Sequence, residues 1–474
     1  MQNVFIALYI VTSLWAFFSI ILYGNRPARS ISWIIITIVL PFIGVFFYIL
    51  FGINRKRFKF FSLNFNAKRK LYSLNHSSKT IDEFAHKFNA DKYGAVGKLL
   101  QKSSGFPAVD GNKITLLMDG KSNFDAIFEA FSKAEKFIHI QYYILEEGEL
   151  LDKLLALFQE KIKKGVEIRI LYDAFGSYGW KNKSVKKLKQ LGAEIHPILP
   201  LKIGTILSTL NYRNHRKIAI VDGVVGFTGG MNVSDKYIKK KTRLGIWDDL
   251  HLKLEGAIVD HLHRVFIKDY FFANNNTLIS SKKYLPNQSK KGDSLVQLIT
   301  GGPDHNYLSI LHQYTMMINT AQKSIFIENP YFIPNKSLLE ALKMAVLRGV
   351  DVKIMVPKNN DSKIAKYSMF GNFEDLLKTG ANIYILKDRF SHSKLMIVDE
   401  EIASVGSGNF DFRSFEHNYE VNTLMYDTAI AKELAKDFIK NIDDCNILDY
   451  NSFVNRSLKT KLLEGFSKIL SPLL

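Results

Sequence analysis

The chain has 474 residues and a single cysteine, Cys445. No intrachain disulfide can form, no all-cysteine metal site exists, and a reducing compartment is permitted. The run Asp443-Asp444-Cys445-Asn446 marks that thiol as inert. Acidic residues are also short, with 45 Asp and Glu against 64 Lys and Arg, a formal charge of +19. So basic a chain calls for an anionic partner, nucleic acid or an anionic lipid surface, and net charge does not choose between them. No carboxylate cluster and no histidine pair at zinc spacing occurs, so neither metal nor cofactor is expected.

Charge is missing altogether from two apolar stretches near the amino terminus, Val4 to Leu22 and Ile31 to Phe51, separated by the polar break Gly24 to Ser30. Each reaches the ~20 residues that cross ~30 Å of hydrocarbon. The opening Met1-Gln2-Asn3 lacks the basic start of a signal peptide. The expectation is a two-helix transmembrane hairpin over 1–52. Beyond it, Arg55, Lys56, Arg57, Lys59, Lys68, Arg69 and Lys70 place the remainder of the chain on the cytoplasmic side of the cell membrane. The basic, phenylalanine-rich run Arg57 to Phe61 either lies on anionic headgroups or serves only as a topogenic signal.

After residue 110 strands alternate with helices, the pattern of α/β layers. Three words of that pattern recur in order: Ala134-Glu135-Lys136-Phe137-Ile138-His139-Ile140 with Ala321-Gln322-Lys323-Ser324-Ile325-Phe326-Ile327, Lys164-Gly165-Val166 with Arg348-Gly349-Val350, and Leu191-Gly192-Ala193 with Thr379-Gly380-Ala381. The reading is two homologous α/β halves. The divisions are 1–52, a basic juxtamembrane segment 53–110, a first half 111–275, a linker 276–294 rich in Asn, Ser and Lys, and a second half 295–474.

The repeat culminates in His215-Arg216-Lys217, Asp222 and Gly229-Gly230-Met231-Asn232, matched by His392-Ser393-Lys394, Asp399 and Gly406-Ser407-Gly408-Asn409. Both read His-x-Lys-x4-Asp with an asparagine turn. On a strand, period two puts each histidine and its lysine on one face and the aspartate on the other. Asp222 and Asp399 are therefore expected to hold strand and turn. An imidazole, a fixed positive charge and an amide suit gripping a phosphate and moving protons at neutral pH. If the halves pack about a pseudo-twofold axis, one histidine can attack phosphorus while the other protonates the leaving oxygen. Lys217, Lys394, Asn232 and Asn409 would stabilise the charge on the phosphoryl oxygens. The other histidines take the plainer reading; His261 and His263, beside Arg264, are expected to be solvated.

The paired motifs resemble the HKD signatures of the phospholipase D superfamily. Asn211 to Lys217, Gly226 to Asn232, Pro330-Tyr331-Phe332-Ile333-Pro334, Asp411, Arg413, Ser414 and Leu470 to Leu474 bring the resemblance close to the bacterial cardiolipin synthases. It implies two phospholipase D-like α/β/α sandwich halves with pseudo-twofold symmetry behind the hairpin. It makes His215, Lys217, Asp222, His392, Lys394 and Asp399 the catalytic motif residues, with the first histidine usually the nucleophile. It also implies carboxylates that orient the histidines, matched by Asp249 and Glu420, although Asp248 stands where the family usually has a basic residue. The implied reaction is transfer of a phosphatidyl group between two phosphatidylglycerol molecules. Hydrolysis of the same bond, a superfamily nuclease and an inactive membrane scaffold are the competing readings. The expected partners are the anionic phospholipid substrate and the bilayer, with no nucleic acid; oligomeric state is not read.

Overall fold

The computed structural model describes residues 2–23, 27–40, 42–52, 71, 81–180, 182–200, 211–274 and 278–471. The basic run Arg57 to Phe61 lies outside the described residues, as do Pro472 to Leu474.

The repeat words sit where chain direction must reverse. Helix Glu149–Lys163 buries Leu150, Leu151, Leu154, Leu155 and Phe158 along one stripe, with Glu149 and Asp152 at its amino end and Lys161 and Lys163 in its last turn. That charge placement complements the helix dipole. Gly165 then turns the chain at φ 85°, and Gly349 does the same at φ 86° after helix Lys336–Leu347. A left-handed turn of this kind favours glycine.

Each half contributes seven main strands to one 15-stranded sheet, whose outer edge in the second half is a further short strand, Cys445–Ile447, antiparallel to Asn382–Leu386. In the first they are β1 (Ala108–Leu117), β2 (Phe137–Tyr142), β3 (Glu167–Asp173), β4 (Glu194–Ile198), β5 (Ile218–Val221), β6 (Val225–Gly229) and β7 (His251–Glu255). In the second they are β8 (Ser294–Gly301), β9 (Ser324–Glu328), β10 (Asp351–Pro357), β11 (Asn382–Leu386), β12 (Leu395–Val398), β13 (Ile402–Gly406) and β14 (Glu420–Tyr426). From the centre outward the order is β1-β7-β6-β5-β2-β3-β4 on one side and β8-β14-β13-β12-β9-β10-β11 on the other. The halves are joined by antiparallel pairing of β1 with β8, Val109 opposite Val296.

Helices cover both faces, giving α/β/α layers. Helices Gly120–Ser132 and Glu149–Lys163 enclose one core in the first half, and Ser309–Thr320 and Lys336–Leu347 enclose another in the second. On the opposite face, Ile258–Ala273 and Thr428–Asn441 share a core drawn from both halves. The segment Ile81–Ser104, ahead of the expected first half, packs into the second: Tyr93, Val96 and Leu100 are buried with Ile310 and Tyr314. The stretch expected to link the halves lies along the first, with Leu285 buried and Gln288 donating to the Gly223 carbonyl at 2.8 Å.

One expectation is corrected, and the expected transmembrane hairpin is met only in part. His261 and His263 are not solvated but 2 % and 0 % exposed, because their helix crosses the sheet and is buried nearly all round, its polar side chains included. His263 Nε2 lies 2.9 Å from His139 Nδ1, and its Nδ1 2.8 Å from the Tyr284 carbonyl. The second apolar stretch is not one spanning helix. It forms Pro27–Val39 and Ile43–Phe47, which fold back on each other so that a side chain at Gly44 would strike the Ile36 carbonyl. Leu40 precedes Pro41, and the residue before a proline is pushed out of helical geometry. At 1.5 Å per residue a 13-residue helix covers about 20 Å, short of the bilayer core. Among the described residues one helix, Val4–Leu22, is long and apolar enough to cross a membrane.

Candidate active site

The strands β5 and β12 are each entered through a His-x-Lys segment, so the histidines stand at their mouths rather than on them. Each segment is pinned by the other half. His215 N donates to the Tyr419 carbonyl at 2.9 Å and Tyr419 N to the Arg213 carbonyl at 2.9 Å. His392 N donates to the Asp248 carbonyl at 2.7 Å, beside a short parallel ribbon of Ile246–Asp248 with Arg389–Ser391.

This crossing brings both histidines to one cavity of about 460 Å³, lined also by Asn232, Asn409, Tyr143, Tyr331, Trp247, Lys236, Arg213, Arg413, Asp361 and Asp411. The carboxylates are exchanged between halves. His215 Nδ1 lies 3.1 Å from both oxygens of Glu420 and 3.1 Å from the Ser407 carbonyl. His392 Nδ1 lies 2.7 Å from Asp249 Oδ2. Asp249 thus sits on the histidine, whereas Asp248 turns away to Arg389 at 2.5 Å. Gly230 lets Asp249 approach, since any side chain there would collide with its carboxylate.

The two pairs differ. Every neighbour of His215 Nδ1 is an acceptor, so that nitrogen carries hydrogen and Nε2 keeps its lone pair. Burial holds the His215 pKa down at about 4 despite Glu420. Burial pushes Glu420 up, but His215, Lys217 and the Ser407 hydroxyl together bring it below the ordinary range. His392 Nδ1 instead has an acceptor in Asp249 and a cationic neighbour in Lys394 at 3.0 Å. Burial raises Asp249 to about 7, against the pull of Lys394, the Leu250 amide and Lys217. Burial and then Lys394 push His392 well down.

Lys217 and Lys394 are 0 % and 1 % exposed, and each ammonium turns onto the carbonyl of its own histidine. Burial lowers both, Lys394 to about 8. Asn232 accepts from the Ile144 amide at 3.1 Å, while the Asn409 side-chain oxygen is buried and unpartnered among the described residues. Arg216, between His215 and Lys217, faces away and forks onto Asp269 at 2.7 Å.

Asp222 and Asp399 do not line this cavity. Asp222 takes φ 52° and accepts from the amides of Glu135, Lys136 and Phe137, each at 2.8 Å. Asp399 takes φ 54° and accepts from Gln322, Lys323 and Ser324, with Lys92 at 2.5 Å. Aspartate tolerates this left-handed turn better than most residues. The amides belong to the first pair of repeat words, so the end of each motif is tied to the start of β2 or β9.

Sequence reasoning missed Tyr143, Lys236 and Asp361. Tyr143 had only a partial signal, standing one residue off the repeat register of Tyr331, yet their rings meet His215 and His392 edge-on at 5.0 and 6.3 Å. Lys236 and Asp361 carried none.

The model of the "Cardiolipin synthase, PLD-like domain" family matches residues 127–270 and 314–442. The chain belongs to the cardiolipin synthase family of phospholipase D-like proteins. The "Phospholipase_D-nuclease N-terminal" family model matches residues 11–52. A cardiolipin synthase of Geobacillus sp. (strain WCH70) is 37% identical over 472 residues, covering 96% of this chain and 91% of that one. The major cardiolipin synthase ClsA of Bacillus subtilis (strain 168) is 35% identical over 480 residues, covering 100% and 99%. Among solved structures, a phosphatidylserine synthase of Haemophilus influenzae Rd KW20 superimposes with a TM-score of 0.62 at 16% identity, over 81% of this chain and all of that one. That likeness concerns the fold alone. The two-half phospholipase D-like fold of this cardiolipin synthase family member is thus seen by sequence and by shape.

Proposed function

We propose that the chain makes cardiolipin and glycerol from two phosphatidylglycerol molecules through a phosphohistidine intermediate. The single observation behind this reading is the convergence of two imidazoles on one cavity, each backed by a buried carboxylate of the opposite half. Nε2 of His215 attacks phosphorus and the P–O bond to the first glycerol breaks. His392 gives its proton to the departing oxygen. The free hydroxyl of the second phosphatidylglycerol then loses its proton to His392 and attacks phosphorus, breaking the P–N bond and restoring His215. Lys217, Lys394 and the amides of Asn232 and Asn409 take up the charge on the phosphoryl oxygens.

Two features favour His215 as nucleophile. Its surroundings fix the tautomer that leaves Nε2 bare, and its ionised Glu420 stabilises the cation formed on attack. His392, against a carboxyl group that titrates at about 7, suits a proton carrier. The negative phosphate itself raises proton affinity at His392 when it binds.

Both apolar amino-terminal stretches belong in the bilayer on this reading, with the catalytic halves cytoplasmic beside Arg55, Lys56, Arg57 and Lys59. A cysteine placed at Arg57 should react with an impermeant reagent only after protoplasts are permeabilised. Mass spectrometry of products from phosphatidylglycerol vesicles tests the reaction. Cardiolipin with glycerol is expected; phosphatidic acid would replace this reading with hydrolysis.

A further inference from the structure

The helix Leu458–Ile469 is packed inside out. Its buried side chains are polar: Glu464 is 2 % exposed and Ser467 5 %. Arg456 holds Glu464 at 2.7 Å, and just past the helix Ser471 meets Ser368 at 2.6 Å. Facing outward are Leu458 at 72 %, Leu462 at 65 %, Phe466 at 65 % and Ile469 at 75 % exposure. Steps of four, four and three residues set these on one helical stripe. A helix that presents its apolar stripe to solvent and its polar face to the protein marks an interaction surface.

Charge identifies the occupant. The helix has one acidic residue, Glu464, and it is buried in an ion pair; every charge left facing outward is a lysine, Lys459, Lys461 and Lys468. Apolar stripe and lysines together are the make-up of a helix lying in an anionic lipid interface. A second copy of the same face would bring like charges together.

Position agrees. The helix packs on Lys363–Phe370, where Lys468 donates to the Gly371 carbonyl at 3.0 Å. Ala365 of that neighbouring helix lines the catalytic cavity, and Ile364 beside it is 44 % exposed. Across the pseudo-twofold axis, the loop after β3 exposes Phe175 and Tyr178 by 52 % and 86 %. Phe175 lies beneath Arg213, itself a cavity residue. Exposed apolar side chains thus border the cavity from both halves.

We propose that Leu458–Ile469 is an interfacial helix that lays its apolar stripe into an anionic bilayer surface and holds the catalytic cavity against the headgroups. The docking stands on exposure and charge; only its consequence for turnover rests on the phospholipid reading of the cavity.

The test uses the full chain carrying Cys445→Ser, reconstituted in phosphatidylglycerol vesicles. Phe466→Cys is labelled with an environment-sensitive fluorophore. Lys133→Cys serves as control, since Lys133 precedes the amino end of β2 whereas Tyr143, at the cavity, follows its carboxyl end. The label at Phe466 should shift to the blue and be quenched by lipids brominated high in the acyl chain, with neither effect at Lys133. A label at Phe466 that reports water as the control does would overturn the proposal. So would a blue shift that disappears as protein is diluted with lipid, because that marks contact between copies. In a second arm, Leu462→Glu with Phe466→Glu should lower turnover of vesicle phosphatidylglycerol by about tenfold or more, from the lost burial of two large side chains. Turnover of phosphatidylglycerol dispersed in detergent should stay unchanged, and equal vesicle turnover would refute the functional consequence. If the chain proves inactive on phosphatidylglycerol, the reaction fails and the quenching still decides the docking.

Discussion

Replacing Glu420 by glutamine isolates one charge. The side chain is fully buried, and both oxygens lie 3.1 Å from His215 Nδ1. Glutamine keeps the volume and can keep most hydrogen bonds, but it removes the anion that faces the imidazole as Nε2 bonds to phosphorus and the ring turns cationic. Charges about 4 Å apart at an effective dielectric of about 20 interact by about 4 kcal/mol, which is about a 10³-fold loss of kcat. The glutamine amide can also donate toward Nδ1, favouring the tautomer with hydrogen on Nε2, which cannot attack. Initial rates of cardiolipin formation on vesicles should fall by that factor, with a thermal midpoint near that of the parent. A Glu420→Gln enzyme within threefold of the parent rate would refute the coupling of the second half's carboxylate to the first half's histidine.

The order of the two histidines is open to a direct check. With a substrate whose leaving group needs no proton, His392→Ala should still accumulate phosphatidyl-labelled protein and His215→Ala should accumulate none; labelled His215→Ala would reverse the roles. Stability should vary with pH through His215. It is neutral in both states above its ordinary value of 6.5, and as pH falls the unfolded chain takes a proton while the folded one resists down to about 4. That difference is worth about 3 kcal/mol, lost between pH 6.5 and 4. His215→Gln should remove this loss in denaturant titrations, and an undiminished slope would mean that other groups carry it. Asp222→Ala and Asp399→Ala each leave three backbone amides without their carboxylate. They should cost about 1 to 3 kcal/mol per variant in chemical denaturation, while the folded fraction retains its kcat; a kcat loss at full stability would give these aspartates a part in the chemistry.

Much of the site was legible because it obeys short-range rules. Asp222 and Asp399 were expected apart from His215 and His392, and the structure puts them on turn amides outside the cavity. The left-handed turn that ends each strand does this, not strand parity, since the histidines precede β5 and β12. Burial was less legible. The helix carrying His261 and His263 looks half polar in sequence, yet it crosses a sheet where polar side chains find partners on β2 and in the chain beyond residue 278. The second apolar stretch has the composition of a span, but composition does not register a fold-back after Leu40. Ile81–Ser104 carried no word tying it to the second half, since its contacts, such as Lys92 with Asp399, are separated by some three hundred residues.

The sequence by itself determined the duplication, the paired histidine and lysine motifs, the positive charge and the apolar amino terminus. Each of these is a matter of composition or of neighbours along one strand. Only the tertiary structure decided that Glu420 serves His215 and Asp249 serves His392, that Asp249 rather than Asp248 is the partner, and that the two pairs hold their protons differently. Those facts depend on which segment of one half lies beside which segment of the other. The reason is that periodicity fixes the direction of a side chain relative to its own backbone, while its partner and its desolvation are set by chain that arrives from far away.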